Sequence, residues 1–279
     1  MVSIIVPVRN QYAMNLLFVE SLRKYTLCPF ELIVIDNAST DGSAELFESF
    51  GARVIRNADN YSYPCCMNRG FGEAKYDVLA FFNNDIIVSR GWDKRLVEVM
   101  RAEGLDVAGF GSNSPLEKYP DTRGLKRRWK RVKNLLLYTL GFEEYSLRLM
   151  LRLAYGNWDR WTDGWRARYS GILREGLTGS CVVMTRRGYE LLGGWDERLQ
   201  TADYDIYMKA KSRHLSHADI KPPANVMEIF VHHYGRLTLK KDYIPFKDMA
   251  NIISLEEKWT DDERRDLLHD LNHEKGRNL

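Results

Sequence analysis

The chain has 279 residues, of which 44% are hydrophobic and 28% charged, and its formal net charge is +3. That length can bury a large core and suits one large α/β domain or one domain with an appendage, and the composition is that of an ordinary globular protein. The net charge is too small to recruit a polyanionic partner by itself, and no run approaches about eighteen consecutive apolar residues, which excludes a spanning helix.

The opening Met1-Val2-Ser3-Ile4-Ile5-Val6-Pro7-Val8 has neither a basic lead nor a small-residue cleavage site, and reads as a strand rather than a signal peptide. Four cysteines, Cys28, Cys65, Cys66 and Cys181, form no CxxC pair and have no histidine nearby at metal spacing. A reduced, cytoplasmic compartment is the economical expectation.

The first hundred or so residues alternate short apolar runs with segments of helical period, as a parallel sheet with crossover helices requires. Strands are expected at Ser3 to Val8, Glu31 to Asp36, Arg53 to Arg56, Val78 to Phe82 and Val107 to Phe110. Leu17, Phe18, Ser21, Leu22 and Tyr25 recur at helical spacing, and Ser39, Thr40 and Asp41 offer N-cap oxygens to a second helix that Gly51 ends. A third helix is expected over Cys65 to Lys75. From Asn113 to Glu175 the alternation breaks. Pro115 and Pro120 open a loop, and Lys126, Arg127, Arg128, Lys130, Arg131 and Lys133 then crowd together without an acid. In the apolar stretch Leu135 to Leu153 that follows, Leu136, Leu140, Leu147 and Leu151 fit one helical face. Regular structure resumes with a strand over Ser180 to Met184, a helix around Tyr189 to Leu192 ended by Gly193-Gly194, a helix after Asp203-Tyr204-Asp205, and a strand Val226 to Val231 that runs into His232-His233. Two helices divided near Thr260-Asp261 close the chain.

The apolar run Val78 to Phe82 stops at Asn83-Asn84-Asp85 and resumes as Ile86-Ile87-Val88. Desolvating a carboxylate costs several kcal/mol unless a partner or metal offsets it, so Asp85 is expected at a strand's end facing a ligand. Taken alone, the tripeptide is equally good turn chemistry. In an open parallel α/β sheet, however, ligands bind beyond the strands' carboxyl ends. Those ends here carry Arg9-Asn10, Asp36-Asn37, Asn83-Asn84-Asp85 and His232-His233. Asp36 is able to accept hydrogen bonds from a nucleobase or ribose, or to cap its own turn.

The segments VSIIVPVRN, LIVIDNASTDGS, the NND strand end, GGWDERL followed by ADYD, and VHHYG resemble the inverting glycosyltransferases of family 2, of GT-A fold, over about Val2 to Phe110 and Thr178 to Arg236. The resemblance implies a mostly parallel mixed sheet flanked by helices, a nucleotide-sugar donor, Mn²⁺ or Mg²⁺, and inversion at the anomeric carbon. It places Asp36, Pro7 and Arg9 around the nucleotide, Asn83 at the ribose or a metal-bound water with Asn84 beside it, and Asn68 and Arg236 near the donor. Asp85 would bind the metal, supported by His233, with His232 as the close alternative. Asp203 falls where the catalytic base is expected. Asp205 is the other candidate, and because residues two apart project differently from a helix, one of the pair is expected to be structural. Trp195, Asp196 and Glu197 are candidates for the acceptor side, Trp195 with core packing as its rival. Three departures stand out: Asn83 replaces an acid, Ala202 replaces the acid that usually precedes the base, and Asn60-Tyr61-Ser62-Tyr63 replaces a commoner Asn-x-Gly-Phe.

The expected layout is a nucleotide-sugar half (1–112), a basic helical insertion (113–175), a catalytic and acceptor half (176–240) and a C-terminal helical extension (241–279). The expected activity is metal-dependent transfer of a sugar from a UDP- or dTDP-type donor to a glycan or lipid-linked acceptor in polysaccharide biosynthesis. A non-catalytic glycan-binding scaffold and a sugar-phosphate nucleotidylyltransferase are the alternatives, the latter lacking its Gly-rich phosphate loop after the first strand. The insertion reads either as a solvated lid over the acceptor cleft or, through 126–155, as an interfacial helix on anionic lipid at the inner face of the membrane. No nucleic-acid motif accompanies its charge, so no nucleic-acid partner is expected.

Overall fold

The computed structural model describes residues 1–114, 122–235 and 245–272. Strand β1 (Val2–Val8) leads through helix α1 (Tyr12–Tyr25) to β2 (Phe30–Asn37), α2 (Ser43–Ser49), β3 (Arg53–Asn57), α3 (Tyr63–Glu73) and β4 (Val78–Phe82). After β5 (Ile86–Val88), α4 (Trp92–Glu103) and β6 (Val107–Ser112) come three successive helices, α5 (Arg123–Leu140), α6 (Glu144–Tyr155) and α7 (Trp158–Tyr169). The chain then returns to the sheet as β7 (Leu173–Glu175), β8 (Cys181–Thr185), α8 (Arg186–Leu191), α9 (Ala202–His217) and β9 (Ala224–His233). Helices α10 (Leu255–Lys258) and α11 (Asp261–Asn272) follow.

The nine strands among the described residues join one sheet, ordered β3-β2-β1-β4-β8-β6-β9-β5, with β7 also on β9. β3, β2, β1 and β4 are mutually parallel, β8 is antiparallel to both β4 and β6, and β6 runs parallel to β9. The carboxyl ends of β1, β2, β4 and β9 therefore share one edge. Alternation along the buried strands divides the core. Ile4, Val6, Phe82 and Val34 pack with Phe18, Phe47 and Trp92 on one face, and Ile5, Ile33, Ile35 and Phe81 pack with Met67, Trp195 and Ile206 on the other. On the second face α3 sits so close to β1 that a Cβ on Gly70 would stand 2.3 Å from Ile5 Cγ2. Gly70→Ala is expected to lower stability by about 1–3 kcal/mol through overpacking. A thermal melt reads this as a lower Tm, and an unchanged Tm would mean that α3 lifts off the strand at no cost.

The Asn-Asn-Asp break serves as turn and site edge together. β4 ends at Phe82, whereas β5 pairs with the far end of β9, Ile86 opposite His233, so Asn83-Asn84-Asp85 carries the chain across the tips of the intervening strands. The segment 113–175 differs from expectation in two respects. Its long apolar stretch is two helices rather than one, because Gly141 takes a positive φ of 70° and turns the chain back. Leu136 and Leu147 are buried, but Leu140 is 43% exposed, which breaks the expected single face. The end of the segment is not helical but forms β7. The expected loop at Pro115 and Pro120 lies outside the described residues.

These helices are bound to the sheet by aromatics. Trp158, Trp161 and Trp165 of α7 surround Phe230 of β9, and the indole N–H groups of Trp158 and Trp165 donate to the carbonyls of Val88 and Met227. Among the described residues no helix is long and apolar enough to cross a membrane. All four cysteines are free thiols.

Candidate active site

β1 outruns its pairing with β4, which stops at Ile5 opposite Phe81 while β1 continues to Val8 against β2. The strands part at this point, and Pro7, which has no N–H to leave unsatisfied, borders the opening. The resulting cleft of about 410 Å³ is lined by Pro7, Tyr63, Asn83, Asn84, Asp85, Gly179, Gln200, Ala202, Asp203 and His233. The strand-end asparagines, Asp85, Asp203 and His233 thus face one cavity although up to 150 residues separate them in sequence.

Asp85 is buried. Its Oδ2 accepts the Gly235 N–H at 3.1 Å, and its backbone carbonyl accepts the Tyr234 N–H at 2.9 Å. Its Oδ1 lies 3.1 Å from His233 Nε2, yet has no partner of hydrogen-bonding geometry. Burial pushes the carboxyl up, but the His233 ring and the Gly235 N–H outweigh it, and the pKa settles below the ordinary carboxylate value. A buried, ionised carboxylate oxygen beside an imidazole nitrogen at the edge of a cleft fits a divalent cation. Among the described residues no group of three or more His, Cys, Asp or Glu side chains gathers around a metal position. The pair that faces the cleft among the described residues is one carboxylate, Asp85, and one imidazole, His233. His233 is itself clamped by Asn113, whose side chain accepts its N–H at 2.7 Å and donates to its carbonyl at 2.9 Å. Neither Asn113 nor the Gly235 N–H was singled out from sequence, because both contacts run through backbone atoms.

Asp203 stands in the first turn of α9 on the other side of the cleft. Burial raises its carboxyl above the ordinary value, only partly offset by the backbone N–H groups of Tyr204 and Asp203 itself. A carboxylate so raised is a stronger base for a hydroxyl proton. Gly179 makes room for it: a Cβ there would stand 2.4 Å from Asp203 Oδ2. Asp205 points elsewhere, fully buried against Lys258 Nζ at 2.7 Å and Lys209 Nζ at 3.3 Å, with the Trp259 indole N–H donating at 2.9 Å. Of the two aspartates, Asp203 thus lines the cleft and Asp205 ties α10 to α9.

On the donor side, Asp36 stands next to the last residue of β2, and its carboxylate accepts the Ser39 N–H at 3.3 Å. The loops after β1 and β2 lock together: Asn10 N–H donates to Ser39 Oγ, Thr40 N–H to Asn10 Oδ1, and Arg9 Nη1 to the Asn37 carbonyl, at 2.8, 2.8 and 2.6 Å. Asn10, Gln11 and Ala38 hold positive φ values of 54°, 73° and 57°, a cost of order 1 kcal/mol each that such cross-bracing maintains at a functional edge. Asn84 donates to Asn15 Oδ1 at 2.7 Å, which joins the Asn83-Asn84-Asp85 turn to this floor.

Several expected positions fall outside the cleft. His232 alternates to the opposite face of β9, buried with Nδ1 2.9 Å from the Tyr155 hydroxyl and its ring edge-on to Trp129, and burial drives its pKa well below the ordinary histidine value. A strand's two-residue period forbids it from sharing the His233 side. Asn68 does not meet the donor pocket. It accepts from Tyr189 Oη and the Trp195 N–H, and donates to the Trp195 carbonyl and Glu197 Oε1, all within 2.6–3.0 Å. Trp195 is buried edge-on to Tyr63 and Phe81, so core packing overrides the expected sugar platform. Asp196 is engaged by Arg198 and Lys258, which hold its carboxyl far below the usual range. Glu197 Oε1 accepts from Asn68, so the three residues expected on the acceptor side belong to a braced loop. Asn68→Ala removes that brace. It is expected to loosen residues 194–198 and cost about 1–3 kcal/mol, with amide exchange in the loop as the readout and unchanged protection as the contrary result. Arg236 lies outside the described residues.

A mixed sheet with a carboxylate-lined cleft at its carboxyl edge is the arrangement of a GT-A fold. The model described as "Glycosyl transferase family 2" matches residues 3–157, more than half of the chain, and the chain belongs to that family. It is 24% identical to the O-antigen biosynthesis protein RfbC of Myxococcus xanthus over 88% of this chain and 18% of that one. It is 31% identical to the uncharacterized glycosyltransferase EpsJ of Bacillus subtilis over 40% of this chain and 33% of that one. The chain thus spans a third or less of the length of these two relatives. In fold it is similar to S. aureus TarS 1-349 in complex with UDP-GlcNAc, with TM-score 0.54 and 12% identity over 97% of this chain and 66% of that one. It is also similar to the mannosyltransferase PcManGT from Pyrobaculum calidifontis in complex with GDP-Man and Mn2+, with TM-score 0.51 and 15% identity over 82% and 56%.

Proposed function

We propose that this transferase moves a sugar with inversion from a nucleotide-sugar donor, of UDP or dTDP type, to a hydroxyl of a glycan or lipid-linked glycan, with Mn²⁺ or Mg²⁺ as cofactor. One observation carries the reading: the orphaned Oδ1 of buried Asp85, 3.1 Å from His233 Nε2, shares its cleft with Asp203. Asp85 and His233 would hold the cation, and donor phosphate oxygens and waters would complete its shell, as Mg²⁺ and Mn²⁺ sites commonly allow. When bound, the ion offsets the negative charge that gathers on the departing diphosphate. Asp203 takes the acceptor proton while the acceptor oxygen bonds to the anomeric carbon and the bond from that carbon to diphosphate oxygen breaks on the opposite face. Attack from the face opposite the leaving group inverts the centre. Asp36 supports the pyrimidine choice, since its carboxylate is able to accept from the imide N–H of uracil or thymine.

The acceptor has a place to enter. Beyond Gln200, which lines both spaces, the cleft adjoins a second cavity of about 410 Å³ bordered by Tyr204, Ser254, Glu256 and Arg264. Tyr204 is 39% exposed and follows Asp203 in sequence, so an aromatic face meets incoming sugar beside the base. A thermal-shift screen of nucleoside diphosphates tests the whole reading, because a ligand that binds only the native state raises Tm with its affinity. UDP or dTDP is expected to raise Tm with Mn²⁺ present and much less without it. A larger shift with GDP would overturn the pyrimidine assignment, and no shift with any nucleotide would favour a non-catalytic scaffold.

A further inference from the structure

Helix α5 reads RGLKRRWKRVKNLLLYTL, with seven cationic side chains and no acid. Its inner stripe is spoken for. Trp129 and Leu136 are buried, Trp129 Nε1 donates to the Tyr234 carbonyl at 3.3 Å, and Lys133 Nζ to the Gly235 carbonyl at 3.2 Å. On the opposite side Arg127, Arg131, Asn134 and Tyr138 follow at i, i+4, i+7 and i+11, the spacing of one outward stripe. Lys126, Arg127, Lys130 and Arg131 are exposed, and none forms an ion pair among the described residues. Apolar groups accompany them. Of the twelve large hydrophobic side chains exposed among the described residues, five lie on α5 and α6: Leu135, Tyr138, Leu140, Tyr145 and Leu153. Tyr138 is 94% exposed and Tyr145 70%. Hydrating that much apolar surface is unfavourable, and unpaired cations beside it repel one another, so the combination calls for an anionic partner that also accepts tyrosine and leucine.

We propose that the outward face of the α5–α6 hairpin docks on an anionic phospholipid surface, with Arg127, Arg131 and their neighbours at the headgroups and Leu135, Tyr138 and Tyr145 in the interfacial layer. Charge complementarity selects this occupant, and the exposed aliphatic tips of Leu135, Leu140 and Leu153, which have no stacking partner in a nucleic acid, distinguish it from one. The docking has a consequence for the cleft. The same helix is stitched to Tyr234 and Gly235, and the Gly235 N–H holds Asp85 Oδ2, so a lipid-seated α5 fixes the metal side of the site next to the bilayer.

Sedimentation with phosphatidylcholine vesicles, with and without about one-third phosphatidylserine, tests the proposal without needing turnover. The intact chain is expected to pellet with the anionic vesicles only and to be released by high salt. Arg127→Glu with Arg131→Glu should weaken that binding by roughly 25-fold or more, since each cation near such a surface contributes about a fivefold factor. Tyr138→Ala with Leu135→Ala should weaken it at unchanged charge. Both pairs point outward, so an unaltered circular-dichroism melt confirms folding. Retention of the folded wild type in the supernatant overturns the proposal, as does equal binding by the Arg127→Glu, Arg131→Glu variant. Tighter binding to duplex DNA or RNA than to anionic vesicles assigns the face to nucleic acid and also overturns it.

Discussion

Asp203→Asn is expected to lower kcat by about 10²–10⁴ while leaving nucleotide binding intact, because the amide keeps the shape but accepts no proton. The same variant should be more thermostable than the wild type at neutral pH. Burial raises the Asp203 carboxyl in the folded state, so the folded chain binds that proton more tightly than the unfolded one. Its contribution therefore favours folding below the unfolded carboxylate value and is lost as pH rises through the raised one. Removing the charge removes the penalty at neutral pH, and the gain should vanish in acid. Melting curves across pH check the stability half, and the acid limb of kcat, which should fall below a value above the usual carboxylate range, checks the catalytic half. A variant of full activity, or one less stable at pH 7, would remove Asp203 from the role of base.

Asp85→Ala is expected to carry the largest loss. Charge stabilisation of a leaving diphosphate by a bound cation amounts to several kcal/mol, so turnover should fall by about a thousandfold or more and excess Mn²⁺ should not restore it. His233→Ala removes the neutral ligand and leaves the carboxylate in place. It should lose less, and raised metal concentration should partly compensate. Steady-state rates over a metal series separate the two, and equal, fully rescuable losses would show that Asp85 merely holds the turn.

The sheet was legible because its strands carry uninterrupted apolar runs that leave little choice of period. Val78 to Phe82 and Ser3 to Val8 read correctly to within a residue or two of the observed strands. Reading which face a residue takes at a strand's end was harder. His232 and His233 differ only by parity, and parity is set by the pairing of Ile86 with His233, a contact made across the chain. Asp203 and Asp205 posed the same problem on a helix, and the answer came from Lys258 and Trp259, some fifty residues downstream. Trp195 and Asn68 stayed open in the sequence for a related reason. Aromatic and amide groups serve sugars and cores with the same chemistry, and only burial separates the uses. The break at Gly141 was visible as a glycine but was outweighed by leucines on both sides of it.

The most direct test is Mn²⁺ binding followed by electron paramagnetic resonance, in wild type and Asp85→Ala, each with and without UDP. Wild-type protein with UDP is expected to bind one Mn²⁺ per chain, more weakly without nucleotide, and Asp85→Ala should bind none in either case. Undiminished, UDP-dependent Mn²⁺ binding by Asp85→Ala would contradict the assignment of the metal to the Asp85 and His233 pair.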